Sequence, residues 1–483
     1  MRDTMTEADS LGRGRRVAPP VEHPDVATRI ARGKAARKAV PRAAHGAWDP
    51  PASRPDPIAL LVDQESRRVP ELVPIRHERM RASPFAFYRG AAIVMASDLS
   101  LVPRSGLRVQ LCGDGHLANF GGFASPERDL VFDMNDFDET FPGPFEWDLK
   151  RLATSFEIAA RDRGWSAKKA RELTLLCAQA YRESVAAFAG MTNLDVWYAR
   201  LDVNAVIDRW SAEATPADVK RMRGLVARAE TKDSLKAFSK LTEVVDGEHR
   251  IVSDPPLLVP ARDLLDAGHE AVDFQDWIRE RFRSYRRSLQ ADRRHLLENY
   301  RLVDVARKVV GVGSVGTRCW IVLLLGRDDN DPLFMQIKEA ERSVLQPFVS
   351  GRGPTNAGQR VVQGQRLLQA SSDILLGWFR SAGLLDGVER DYYVRQLWDW
   401  KVSPNLETMT PTATKVFAQM CGWTLARGHA RSGDRVAIAA YLGTGDVFDR
   451  AIADFAAAYA DQNQRDFDSA RQAFAPAANA AGP

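Results

Sequence analysis

The chain has 483 residues, of which 45% are hydrophobic and 27% charged, and its net charge is +4. That length fits two or three folding units, and that composition is ordinary for a globular protein. No segment approaches the ~18 uninterrupted apolar residues of a membrane span. The N-terminus carries Asp3, Glu7 and Asp9 without an apolar stretch, unlike a secretory signal. Four scattered cysteines (Cys112, Cys177, Cys319, Cys421) form no CxxC pair, which points to a reduced, cytoplasmic protein with neither disulfides nor a zinc site.

The basic excess lies at the start: the first 45 residues hold ten Lys and Arg against five Asp and Glu. Residues 1–58 therefore read as a solvated basic tail ending in the Pro-rich linker 46–58. A weak contact of that tail with nucleic acid is the most its charge supports, because the remainder is near neutral. Residues 59–100 look mixed, with a helix near 75–82. Arg108–Cys112 reads as a strand entering a loop, and Leu130–Asp133 as a second short strand ending in carboxylates. A helical pattern (Leu149, Leu152, Phe156, Ala160) runs from Asp148 to about residue 300, broken over 241–260 by the Asp246-Gly247 turn. Residues 301–400 turn β-rich: Val309-Val310, Cys319–Leu325 and Leu333–Ile337 read as strands. A helix over 357–381, strands near Asp391–Gln396, and helices over 411–430 and 445–470 complete the chain. The units are thus 59–300, 301–400 and 401–483.

Two constellations carry chemistry. The first is Cys112-Gly-Asp-Gly-His-Leu-Ala-Asn-Phe120, followed by Asn135-Asp-Phe-Asp-Glu-Thr140. Asp and Asn in a single turn are ordinary turn and cap residues. Two strand-end loops dense in both suit a hydroxyl-orienting carboxylate and oxygen ligands for Mg²⁺, which leaves room for phosphate oxygens. The second is Val309-Val-Gly-Val-Gly-Ser-Val-Gly316. A lone GxGxxG also suits a dinucleotide-binding turn, but that turn opens a helix, whereas here an apolar strand follows. Strand, glycine loop and strand is the kinase arrangement over ATP phosphates. Lys338, on the next strand, is placed to reach those phosphates; the alternative is an edge lysine facing water.

Gly113–Asn119 resembles the catalytic loop of aminoglycoside and choline phosphotransferases, and Asn135–Asp138 resembles their metal-binding Asp motif. Pro144–Leu152 resembles the segment in which an Asp opens a helix and braces that loop. With SPFAFYRG, GDGHLANFG, NDFDET and WDLKRLA, the chain from about residue 60 to 470 resembles the DUF2252 family of bacterial proteins, grouped with kinase-like folds. The resemblance implies Asp114 as catalytic base, and Asn119 and Asp136 as Mg²⁺ ligands. Asp138 or Asp133 stands as a further carboxylate for metal. His116 supports the loop or acts as a base itself, and Asp148 is structural. It further implies Gly311, Gly313, Ser314, Gly316 and Lys338 as ATP-binding residues.

The expected fold is α+β and kinase-like, with a large helical lobe and a small β-rich nucleotide lobe. Because the glycine loop follows the catalytic loop by nearly 200 residues, that fold would be circularly permuted. The expected activity is ATP- and Mg²⁺-dependent phosphotransfer to a small-molecule hydroxyl. Transfer of AMP, or nucleotide binding without chemistry, are the alternatives. No Glu partner for Lys338 is evident, since Gln359–Arg366 offers Gln and Arg. Arg360, Arg366 and Arg395 read as phosphate ligands or as structural ion-pair members. Arg89 is a candidate brace for the catalytic loop, and His429 reads as a packing residue.

Overall fold

The computed structural model describes residues 22–210, 215–230, 234–264, 271–382, 387–397, 400–402 and 405–475. The tail expected over 1–58 lies outside this set as far as residue 21. The rest of it is ordered. Asp25 caps the helix Val26–Ala39 by accepting from the Thr28 N–H at 2.7 Å. That helix has no apolar face to announce it. It docks through Gly33, where a Cβ would stand 2.1 Å from the Ala437 carbonyl oxygen, so small residues replace an apolar stripe. His45 is buried against Tyr441, its Nε2 lying 2.6 Å from the hydroxyl. Short helices Pro57–Glu65, Val73–Met80, Pro84–Gly90 and Ala92–Leu99 follow, more helix than the mixed reading of 59–100.

The described strands, β1 to β13 in chain order, form four antiparallel sheets. β1 (Arg108–Leu111) pairs with β4 (Phe141–Pro144), and β2 (Phe120–Ala124) pairs with β3 (Leu130–Met134). β5 (Leu201–Asp202) adds a third strand beside β3. The two pairings are nested in the sequence. The loops 112–119 and 135–140, which interrupt the two sides, must therefore face each other, and the Asn135 N–H donates to the Asn119 carbonyl at 2.9 Å. Helix Phe145–Asp162 leaves β4 directly and packs with Ala167–Ala189, Pro411–Ser432, Arg435–Leu442 and Val447–Ala473. Leu149, Leu152, Phe156, Tyr181, Leu425, Phe448 and Phe455 fill the core between them.

The turn expected at Asp246-Gly247 joins a hairpin of β6 (Thr242–Val245) and β7 (Glu248–Ile251), and both turn residues have left-handed φ (53° and 81°). The large sheet runs β12 (Gly377–Ala382), β13 (Glu389–Gln396), β11 (Pro332–Ala340), β10 (Cys319–Leu325), β9 (Arg301–Lys308), β8 (Leu258–Pro260). β10 is buried on both faces: Val322 and Leu324 join Tyr285 and Leu333 on one, Ile321 and Leu323 join Ala306 and Phe334 on the other. The sheet thus recruits residues from 258 onward, earlier than the boundary expected at 301, and β9 ends at Lys308, before the expected Val309-Val310. The helix expected over 357–381 ends at Leu368, because Ser371-Ser372-Asp373 turns the chain into β12; Asp373 accepts there from the Leu375 and Gln396 N–H groups. Helices and antiparallel sheets in separate stretches make this an α+β protein. Among the described residues, no helix is long and apolar enough to cross a membrane.

Candidate functional site

The loops 112–119 and 135–140 open into a cleft. Its opposite wall is the 309–318 segment between β9 and β10. Asp114, His116, Asn119, Asp136 and Asp138 line it together with Gly311, Gly313 and Ser314, so the two constellations meet. The glycine segment joins two strands and opens no helix. Gly311 (φ 65°) supplies left-handed backbone within it. Gly316 does not line the cleft: it packs on the Arg68 side chain, and its carbonyl accepts from the Val69 N–H at 2.8 Å.

Asp148, at the start of its helix, accepts from the Cys112 and Gly113 N–H groups at 2.7 and 3.0 Å. His429 backs it at 3.2 Å and meets the Tyr181 hydroxyl at 2.8 Å, so it is a buried support. One turn on, Arg151 donates Nε to Asp114 Oδ1 at 2.6 Å, and a terminal nitrogen of the same guanidinium lies 2.5 Å from that oxygen. Its guanidinium lies 4.4 Å from the Tyr88 ring centre and donates to the Tyr88 carbonyl at 3.0 Å. Tyr88 returns a bond from its hydroxyl to the Arg151 carbonyl at 2.8 Å. The brace expected of Arg89 is therefore made by Tyr88 and Arg151. An (i, i+3) pair of Asp148 and Arg151 on one helix face was the available signal.

Burial raises the Asp114 carboxyl above the usual range, and Arg151 opposes that shift. Its Oδ2 stands 3.8 Å from His116 Nε2. Burial, then the charges of Arg89 and Arg151, push the His116 ring well down, so it is neutral near pH 7. Asn119 donates Nδ2 to the Asp114 carbonyl at 2.9 Å; among the described residues its Oδ1 accepts nothing. Asp136 accepts from the Asp138 N–H at 3.2 Å through Oδ1, and burial and Asp138 raise its carboxyl.

Asp138 is committed elsewhere. Lys338 Nζ donates to its Oδ2 at 2.6 Å, and the Tyr393 hydroxyl to its Oδ1 at 2.7 Å. Burial works against that carboxylate, but Lys338 and Tyr393 hold it below the usual range. Lys338 is 3% exposed, not an edge lysine facing water, and it also stands 3.4 Å from Ser314 Oγ. Its acidic partner is Asp138, not a helix Glu. Asp133 is likewise engaged by the protein: Arg427 bonds it at 2.5 Å and the Ala370 N–H at 2.9 Å. Arg360 donates to the Thr140, Asp138 and Glu341 carbonyls, Arg395 to Gln336 and the Asn135 carbonyl, and Arg366 to the Leu376 carbonyl. All three are structural. Glu139, unassigned by the sequence reading, lines the cleft with its carboxyl pushed up by burial to about 7.

The sequence profile of a family described as "Uncharacterized protein conserved in bacteria (DUF2252)" matches residues 68–473. The chain belongs to that family. The DUF2252 match contains every cleft residue named so far. No curated protein and no solved structure matches the chain.

Among the described residues, no group of three or more His, Cys, Asp or Glu side chains is gathered for a metal ion. Mg²⁺ takes one or two carboxylates and completes its shell with water and phosphate oxygens. Asp136 and the unbonded Asn119 Oδ1 are the oxygens that fit.

Proposed function

We propose that the chain is an ATP- and Mg²⁺-dependent phosphotransferase acting on the hydroxyl of a small molecule, with a kinase-like, circularly permuted arrangement. The observation that carries it is the meeting, in one cleft, of the Asp114, Asn119 and Asp136 loops with the Gly311–Ser314 loop, where the cleft residue Asp138 is paired to Lys338. Asp136 and Asn119 would hold Mg²⁺, which neutralises phosphate charge when bound. Gly311, Gly313 and Ser314 offer close backbone approach to phosphates, and Lys338 lies behind them. Asp114 orients the acceptor hydroxyl: Arg151 fixes Oδ1 and leaves Oδ2 to take the proton. His116, neutral, shapes the loop.

Thermal melting with ATP, ADP and NAD, each with and without Mg²⁺, tests this. A ligand at 100 times its Kd adds about 2.7 kcal/mol, a shift of a few degrees. A Mg²⁺-dependent rise with ATP that Asp136→Ala abolishes is the expected result. Asp114→Ala should keep binding and lose turnover by roughly 10² to 10⁴. No shift with any nucleotide sinks the proposal. One observation favours a second reading, nucleotide binding without turnover: the helix Ala357–Leu368 offers Lys338 no Glu. The product left from ATP decides: ADP for phosphotransfer, pyrophosphate for AMP transfer, neither for binding alone.

A further inference from the structure

Three arginines line the cleft: Arg68, Arg89 and Arg342. Arg68 serves the protein, donating to the Val315 carbonyl and packing its stem on Gly316. Arg342 is exposed at the rim. Arg89 differs from both. Among the described residues it makes no hydrogen bond and no ion pair, and its Nε is buried without a partner. Its guanidinium carbon lies 6.0 Å from the Phe85 ring centre. The charges of Asp114 and Asp136 both reach it, and its own charge reaches His116. Its carbonyl backs the glycine loop, 3.2 Å from where a Cβ of Gly313 would stand. Arg89 therefore belongs to the catalytic-loop wall and the glycine-loop wall at once.

A buried guanidinium N–H without a protein acceptor is unfavourable unless something accepts from it, and among the described residues Arg89 Nε is such a group. The adjacent carboxylates do not. Asp114 is held by Arg151, and Asp136 accepts from the Asp138 N–H. A planar fork with free N–H groups matches the paired oxygens of a phosphate better than any neutral group does. We propose that Arg89 binds phosphate oxygens of the ligand that occupies this cleft, whether a nucleotide's polyphosphate or a phosphorylated substrate. The identity of that ligand rests on the phosphotransferase reading; the anion site itself does not.

The test is calorimetric titration of the full chain with tripolyphosphate and with inorganic phosphate, in EDTA, for wild type, Arg89→Met, Arg89→Lys and Arg342→Met. Tripolyphosphate should bind the wild type. Arg89→Met should weaken it roughly ten- to a hundredfold, and Arg89→Lys should recover part of the loss. Arg342→Met should change it by less than about threefold, as for a solvated charge. Melting of the unliganded variants checks that they fold; if Arg89→Met does not, weaker binding by Arg89→Lys carries the test. Equal affinity in wild type and the Arg89 variants, or no binding by the wild type, overturns the proposal even if ATP is turned over. Binding that depends on Arg89 without any Mg²⁺-dependent ATP shift overturns the nucleotide reading and keeps the anion site. Inorganic phosphate binding as tightly as tripolyphosphate assigns Arg89 to a phosphorylated substrate.

Discussion

Lys338 Nζ lies 2.6 Å from Asp138 Oδ2 and so joins β11 to the 135–140 loop across 200 residues of sequence. The lysine side chain is 4% exposed and the aspartate side chain 27%. Removing the carboxylate leaves a buried ammonium with Tyr393, Ser314 and the charge of Asp136 around it. Asp138→Asn should therefore lose about 2–4 kcal/mol, somewhat below the penalty for breaking a fully buried pair. Lys338→Met with Asp138→Asn should regain much of that loss. Urea midpoints of the four chains give the coupling, and additive losses would show the pair to be energetically idle.

Glu139 makes stability depend on pH in an unusual direction. Burial raises its carboxyl from 4.5 to about 7, with Arg360 opposing and Asp138 and Asp114 reinforcing. A raised pKa means the folded chain holds the proton more tightly than the unfolded chain. The associated stability is complete below pH 4.5 and is lost as pH rises through 7. The slope is at most about 1.4 kcal/mol per pH unit. Glu139→Gln should flatten the curve of urea midpoint against pH between 5 and 7.5 and make the variant the more stable chain at pH 8. Parallel curves would refute the assignment.

The strands and loops of the first constellation were legible because Gly, Asp and alternating apolar residues act locally at 108–119 and 130–138. Their face-to-face placement was not, since it follows from the nested β1–β4 and β2–β3 pairings. β10 was legible because burial on both faces leaves an unbroken apolar run. Gly377–Ala382 was misread as helix: its residues suit either state, and β13 decides. Lys338 was found by its apolar setting, but its partner was sought on a helix, where kinase-like order would put it, and lies instead in the 135–140 loop. The Val26–Ala39 helix was invisible to periodicity because it buries a glycine, not an apolar stripe.

Arg54 shows that the segment before the family match is part of the fold. It donates to both oxygens of Asp98 at 2.8 and 2.9 Å and to both of Asp466 at 2.9 and 2.6 Å. The two aspartate side chains are 2% and 6% exposed. Arg54→Met leaves two buried carboxylates facing each other, with Tyr459 and Gln462 as their remaining donors. The loss should be about 3–5 kcal/mol. A denaturation midpoint unchanged from wild type would mean that this segment is not docked in solution.

Gly113 and Gly164 separate backbone strain from crowding at the 112–119 loop. Both have left-handed φ, 89° and 68°. Around Gly164 a Cβ meets nothing within 4 Å, whereas at Gly113 it would stand 2.2 Å from the Glu139 carbonyl oxygen. Gly164→Ala should cost about 1 kcal/mol, the conformational term alone. Gly113→Ala adds a backbone clash that no side-chain rotation relieves. The Glu139 segment must move, and with it Asp138 and its bond to Lys338. The expected loss exceeds that of Gly164→Ala by at least about 2 kcal/mol, within the range for strain at an over-determined position. It should be accompanied by loss of any nucleotide-dependent melting shift, because Asp114 is the next residue. Equal costs at the two glycines, read from paired urea titrations, would show that the 112–119 loop is not pressed against the 135–140 loop, and the site built on that contact would fall with it.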